Sequence, residues 1–188
     1  MSPRAGLDLN AVLQAATEIA DTYGLDALTL AALAKRLGIR SPSLYNHVDG
    51  LPGLRKKLGL HALGRLHQAL TRAAVGRSGD EAVQAVAAAY VRFAREHPGL
   101  YEATFVDDAD VRQAGGPVLE LVLQIMSAYK LEGDAAVHAV RGLRSLLHGF
   151  ASLEQKGGFG IPLDADESLR LLIATFIAGM QALASTGR

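Results

Sequence analysis

TLAALAKRLGIRSPSLYNHVDG, residues 29 to 50, sets a short amphipathic run beside a segment crowded with hydrogen-bonding side chains. Thr29 stands where a hydroxyl caps a helix, Leu30, Leu33, Ala34 and Leu37 recur at helical spacing, and Gly38 offers a left-handed stop. This predicts a helix of about two turns. Three residues after Gly38, Ser41 offers a second capping hydroxyl, and Pro42 takes a first helical position where its missing N–H does no harm. In the short helix this predicts, Leu44 and Val48, four apart, anchor inward. Ser43, Tyr45, Asn46 and His47 are left on the flank and outer face. Two short helices joined by a tight turn after a glycine describe a helix-turn-helix, whose second helix enters the major groove. The plainer reading is that Ser-Pro only caps a helix and that Tyr45 and His47 are packing residues.

Charge supports the first reading. The chain carries 19 basic and 19 acidic side chains, a balance that by itself points neither to nucleic acid nor to a membrane. Residues 33 to 58 hold Lys35, Arg36, Arg40, Arg55, Lys56 and Lys57 against Asp49 alone, six minus one, so the remainder sums to −5. A basic segment inside a neutral chain is the footprint of a module that meets phosphates.

Working outward, LNAVLQAATEIADTY reads as an amphipathic helix with Leu9, Val12, Ala16, Ile19, Ala20 and Tyr23 on one stripe, Asp8 or Asn10 as cap and Gly24 as terminator. Past Pro52 a long, partly apolar helix runs to the break GRSGD at 76 to 80. A mostly buried helix from Glu81 stops at His97, because Pro98 disfavours helical geometry in its predecessor. A short helix follows from Gly99 to about Val106. The acidic run 107 to 110 is read as a helix cap rather than a cation site. Pro117 opens an apolar helix expected to be central, and Asp134 and Asp164 are the expected caps of the last two. In those, Ala139, Gly142, Ser145, Gly149, Ala174, Ala178, Gly179 and Ala182 permit close helix approach. Their apolar faces exceed what a monomer leaves in water, so a four-helix interface between two copies is expected.

With 49% apolar residues in 188, the chain has ample material for a core. It has no cysteine, which removes disulfides and thiolate metal sites. The start MSPRAGLDLN has no apolar leader core, and the apolar stretches look interrupted by charge or glycine short of a membrane span. A cytoplasmic protein with no membrane association is expected.

The stretch from Thr29 to Leu58 resembles the DNA-binding region of the tetracycline-repressor (TetR) family of bacterial transcriptional regulators. HPGLY at 97 to 101 and LLHGFASLEQKGGFG at 146 to 160 resemble the C-terminal domain of a subgroup with a His-Gly motif. The resemblance implies an all-α fold. Residues 1–52 form a three-helix DNA-binding head, and residues 53–188 a larger effector-binding and dimerisation domain. It implies a homodimer on a palindromic double-stranded DNA operator, with Thr29, Arg40, Ser41, Ser43, Tyr45, Asn46 and His47 at the contacts. The chain departs from the family pattern at Val48, where many relatives have an aromatic residue, and at Gly50 and Leu51, where a phosphate-binding lysine often stands. Arg55, Lys56 or Lys57 would substitute, and Lys56 is entered among the expected contacts.

A small apolar effector is expected among Phe93, Tyr101, Phe105, Met126, Tyr129, His148 and Phe176, with His148 the polar group to examine first. No metal or cofactor is expected. An enzyme is disfavoured, since H-E-x-x-H, G-x-S-x-G and P-loop motifs are all missing from the sequence. A DNA-binding or architectural protein without an effector is the remaining alternative.

Overall fold

The computed structural model describes residues 8–186, and they form an all-helical architecture. Its elements are α1 (Leu9–Tyr23), α2 (Leu30–Leu37), α3 (Gly50–Ala74), α4 (Gly79–Glu96), α5 (Pro98–Ala103), α6 (Ala109–Ala114), α7 (Gly116–Met126), α8 (Gly133–Gln155) and α9 (Ala165–Thr186). Short 3₁₀ turns lie at Leu25–Ala27, Ser41–Asn46 and Ser127–Tyr129. The helices pack as two compact units. One holds the chain to Arg65 together with His97–Gly115, and the other holds Leu66–Glu96 and everything from Gly116. The boundary between these packing units falls inside α3.

In the first unit the expected caps form. The Asp8 carboxylate accepts from the Ala11 N–H at 2.7 Å, and the Thr29 hydroxyl accepts from the Ala32 N–H at 3.1 Å. Gly38, at φ 66°, ends α2 in the left-handed conformation. Val12, Ala16, Leu28, Leu33, Leu44, Leu54 and Leu58 form its core. Tyr23 departs from its expected place on the α1 stripe and is 74% exposed.

Helix α5 is fastened to α1 with unusual closeness. Pro98 starts it, and at Gly99 an added Cβ would lie 2.1 Å from the Ala20 carbonyl carbon and oxygen. The Asp21 carboxylate accepts from the Leu100 N–H at 2.8 Å and lies 3.0 Å from His97 Nδ1. Arg65 Nη2 lies 3.3 Å from His97 Nε2. A guanidinium only donates, so Nε2 accepts from Arg65 and the Nδ1–H donates to Asp21. Asp108 caps α6, accepting from the Asp110 and Val111 N–H groups. Burial pushes its carboxyl up, but these N–H groups and Lys56 together hold it below the ordinary value.

The second unit packs α4, α7, α8 and α9. Its core includes Val83, Val86, Val91, Phe93, Met126, Leu143, Leu147, Phe150, Ile173 and Met180. Asp164 caps α9 by accepting from the Asp166 N–H at 2.9 Å. Asp134 does not cap α8. The helix starts at Gly133, with Glu132 in the cap position and no side-chain bond there. Helix α7 is less central than its composition suggests, burying Val122 and Met126 while Leu119 stays exposed. Arg95 ties the unit together, bonding Glu154 of α8 at 2.7 Å and Asp166 of α9 at 2.7 Å.

Asp80, at the start of α4, accepts from the Tyr129 hydroxyl at 2.6 Å and from the Gln181 amide of α9 at 3.0 Å. Burial, and then the adjacent carboxylate, push the phenol well above its ordinary value. The protonated phenol is thus favoured in the folded state. Its contribution is complete below about pH 10, the unfolded value, and is lost as pH rises toward the folded one. Tyr129→Phe should lower stability by about 1 kcal/mol at neutral pH. Urea melts from pH 7 to 11 should show the gap to wild type closing above pH 10.

Helix α9 corrects the expectation about membrane spans. Ala165–Ser185 is long and apolar enough to cross a membrane by length and composition alone, although it is also the kind of helix a protein core contains. Its charges cluster in the first two turns, which leaves a mostly apolar, uncharged stretch after Arg170 that includes Gly179 and Gln181.

Candidate nucleic-acid interface

The recognition segment differs in detail from its expected form. Ser41–Asn46 is a 3₁₀ turn, with Arg40 in the cap position and no side-chain cap bond. Ser41 is therefore inside the turn and does not cap it. The Ser43 N–H donates to Arg40 O at 3.0 Å and the His47 N–H to Leu44 O at 2.8 Å. Pro42 supplies no N–H, and a segment this short closes few i→i+4 bonds, so the tighter winding prevails. Leu44 and Val48 are buried as expected and pin the turn from beneath.

That anchoring decides what faces water. Ser43, Tyr45 and Asn46 are exposed, Tyr45 by 61%, and Ser41 and His47 are half-buried. Hydroxyl, phenol, amide and imidazole groups thus share one short projecting element. Thr29 is exposed as well. Its oxygen accepts the Ala32 N–H, so its O–H remains to donate to a phosphate.

The basic segment is partly self-neutralised. Arg36 bonds Glu18 at 2.5 Å, and Arg55 bonds Asp26 at 3.2 Å. Lys56, an expected phosphate contact, is ion-paired within its own unit. Its ammonium meets the Asp110 carboxylate and lies 3.7 Å from Asp108, and the Asp110 hydrogen bond holds it above the ordinary lysine value. Lys35, Arg40 and Lys57 have no ion pair among the described residues. Arg40→Ala should therefore reduce the salt dependence of DNA affinity by about one counterion per half-site, or about two per dimer. Lys56→Ala should leave that slope unchanged, as equilibrium titrations across a salt series would show.

The expected effector residues divide between the two units. Tyr101 and Phe105 belong to the first unit, where their rings meet edge-on at 5.3 Å. Phe93 and Met126 are buried in the core of the second, and Phe176 is half-buried against Gly142. His148, the polar group among them, is exposed on α8. Tyr129 borders a cleft of about 450 Å³ with Asp80, Lys130, Gln181 and Ser185, but its hydroxyl is committed to Asp80. The Asp21, His97, Arg65 and Gly99 junction was not among the expected sites. Its signal was a glycine just after the Pro98 helix start, where neither cap nor turn needs one.

Residues 12–47 match the family model described as bacterial regulatory proteins, tetR family, and residues 83–176 match the tetracyclin repressor-like C-terminal domain. An uncharacterized HTH-type transcriptional regulator, YobS of Bacillus subtilis, is 42% identical over 184 residues, covering 96% of each chain. The chain belongs to the TetR family of transcriptional regulators. A second TetR-type relative, the uncharacterized HTH-type regulator Rv0681 of Mycobacterium tuberculosis, is 34% identical over 97% of this chain and 86% of its own. The fold matches that of the Streptomyces coelicolor TetR family protein ActR in complex with (S)-DNPA. There the TM-score is 0.71 and the identity 23%, with 97% and 99% of the two chains covered. As a TetR family member the chain is a DNA-binding regulator, from a family of regulators and not of enzymes.

Proposed function

We propose that this chain is an effector-responsive repressor that binds an inverted-repeat operator as a homodimer. The observation that carries the reading is the exposed set Ser43, Tyr45 and Asn46, with half-buried His47 beside them, on a turn pinned by buried Leu44 and Val48. In the major groove Tyr45, Asn46 and His47 read base edges, while Thr29, Arg40, Ser41 and Ser43 hold phosphates on either side. Residues to about 52 supply the DNA contacts, and the rest of the chain pairs two copies and responds to the effector.

Pairing is supported by α9. Leu171, Thr175, Ala178, Gly179, Ala182 and Leu183 form its exposed face, more apolar than a monomer leaves in contact with water. Two copies place two recognition segments about 34 to 36 Å apart, one turn of duplex. A small molecule that prefers a conformation with another spacing lowers operator affinity by its differential affinity for the two states. ActR holding (S)-DNPA supports a small-molecule effector here, of apolar character given the residues of the second unit. A DNA target goes with the cytoplasm as the place of action.

Selection from a random duplex pool tests the core of the proposal. Recovery of a two-fold symmetric site, bound orders of magnitude more tightly than random duplex, is expected. Enrichment without dyad symmetry, or equal affinity for all sequences, would favour an architectural binder without an effector. Challenging that complex with a panel of small apolar metabolites should release it.

A further inference from the structure

We propose that the connector between α8 and α9 is an apolar arm that docks on a second copy of this chain. The proposal rests on the homodimer reading above. Connectors run through water and are ordinarily polar, yet Gly157 to Leu163 contains no charged residue. Ile161 is 72% exposed and Leu163 73%, and Phe159 is 43% exposed although its ring lies 5.1 Å from Phe150. Scattered apolar side chains on a surface need no explanation, but three within five residues do.

The arm also has a set shape. The Gly157 N–H donates to Glu154 O at 3.0 Å, the Gly158 N–H to Leu153 O at 2.7 Å, and the Leu163 N–H to Ile161 O at 2.8 Å. An added Cβ at Gly158 would meet the Leu153 side chain at 3.1 Å, so Leu153, itself 52% exposed, lies against the arm. Pro162 stiffens the segment further. A preformed apolar projection loses little conformational freedom on docking.

Charge and continuity point to the occupant. Apolar segments that enter a membrane surface are flanked by lysine and arginine, whereas this arm has Lys156 alone before it and runs into Asp164, Asp166 and Glu167, a net negative border. It leads into α9, whose outer face already needs a second copy to cover it, beginning with Leu171 at 52% exposure. One two-fold partner covers both surfaces.

The test compares wild type, Ile161→Ser/Leu163→Ser, and the α9-face variant Ala178→Arg by sedimentation equilibrium, with helix content followed by circular dichroism. The arm variant should keep its helices and weaken the dimer by about 100-fold or more, since two residues are lost from each of two copies. A dimer of unchanged affinity in the arm variant, with Ala178→Arg dissociating, would overturn the arm and leave the homodimer standing. A monomeric wild type at micromolar concentration would overturn both. Because the chain has no cysteine, Ile161→Cys also places a single thiol for a photo-crosslinker. In a mixture of ¹⁵N-labelled and unlabelled chains, crosslinks joining the two isotopes support the arm, and crosslinks confined to one chain refute it. Attachment of wild type to phosphatidylglycerol vesicles, abolished by the arm variant while dimer affinity is unchanged, would assign the arm to a membrane surface and refute the proposal.

Discussion

Gly99→Ala is expected to lower stability by about 3 kcal/mol or more, because the added methyl has nowhere to go. Its Cβ would sit 2.1 Å from the carbonyl carbon and oxygen of Ala20 and 2.6 Å from the Asp21 nitrogen. These are backbone atoms of α1, held by that helix's own hydrogen bonds, so relief requires moving α5 away. That movement stretches the Leu100 N–H bond to Asp21 and the His97 contact with the same carboxylate. Urea denaturation measures the loss, and hydrogen exchange should locate it at the C-terminal turns of α1. Gly64→Ala is the control of opposite sign. Nothing lies within 4 Å of its added Cβ, and within α3 alanine should stabilise by about 1 kcal/mol. A Gly99→Ala loss no larger than a few tenths of a kcal/mol would mean that α5 is not held against α1 as described.

Tyr45→Ala and His47→Ala should each lower operator affinity by about 100-fold, taking about 1.4 kcal/mol per contact and two half-sites per dimer. Stability should hardly change for Tyr45→Ala, since its ring is mostly in water. Leu44→Ala, one residue earlier and fully buried, should do the reverse, costing about 2 to 5 kcal/mol of stability. Thermal melts beside fluorescence anisotropy on the selected operator separate the two effects. If Tyr45→Ala unfolds the head, the residue is a packing element and the interface lies elsewhere.

Local chemistry made much of this fold readable from the sequence. Asp8, Thr29, Gly38, Asp108 and Asp164 act where short-range rules place them, because a cap depends on residues two to four positions away. Leu44 and Val48 follow from spacing alone. What stayed hidden depends on partners distant in sequence. His97 and Asp21 are 76 residues apart, and no periodicity pairs them. Lys56 reads as a free basic group in the sequence, and the fold brings Asp110 beside it. The 3₁₀ winding at Ser41 was missed because Ser-Pro favours a helical start without choosing the pitch. His148 is exposed although its sequence neighbours are apolar, because neighbours on a helix point to other faces. Tyr23 was placed inward by spacing alone, although the helix has reached its last turn there and Gly24 redirects the chain.

The ion pairs Arg36–Glu18, Arg55–Asp26 and Lys56–Asp110 cancel half of the positive charge concentrated near the head. A protein so muted clings weakly to arbitrary duplex, because that adhesion is almost wholly electrostatic. It should then spend correspondingly less time trapped at wrong positions on a chromosome. On the function proposed above, discrimination then falls on Tyr45, Asn46 and His47.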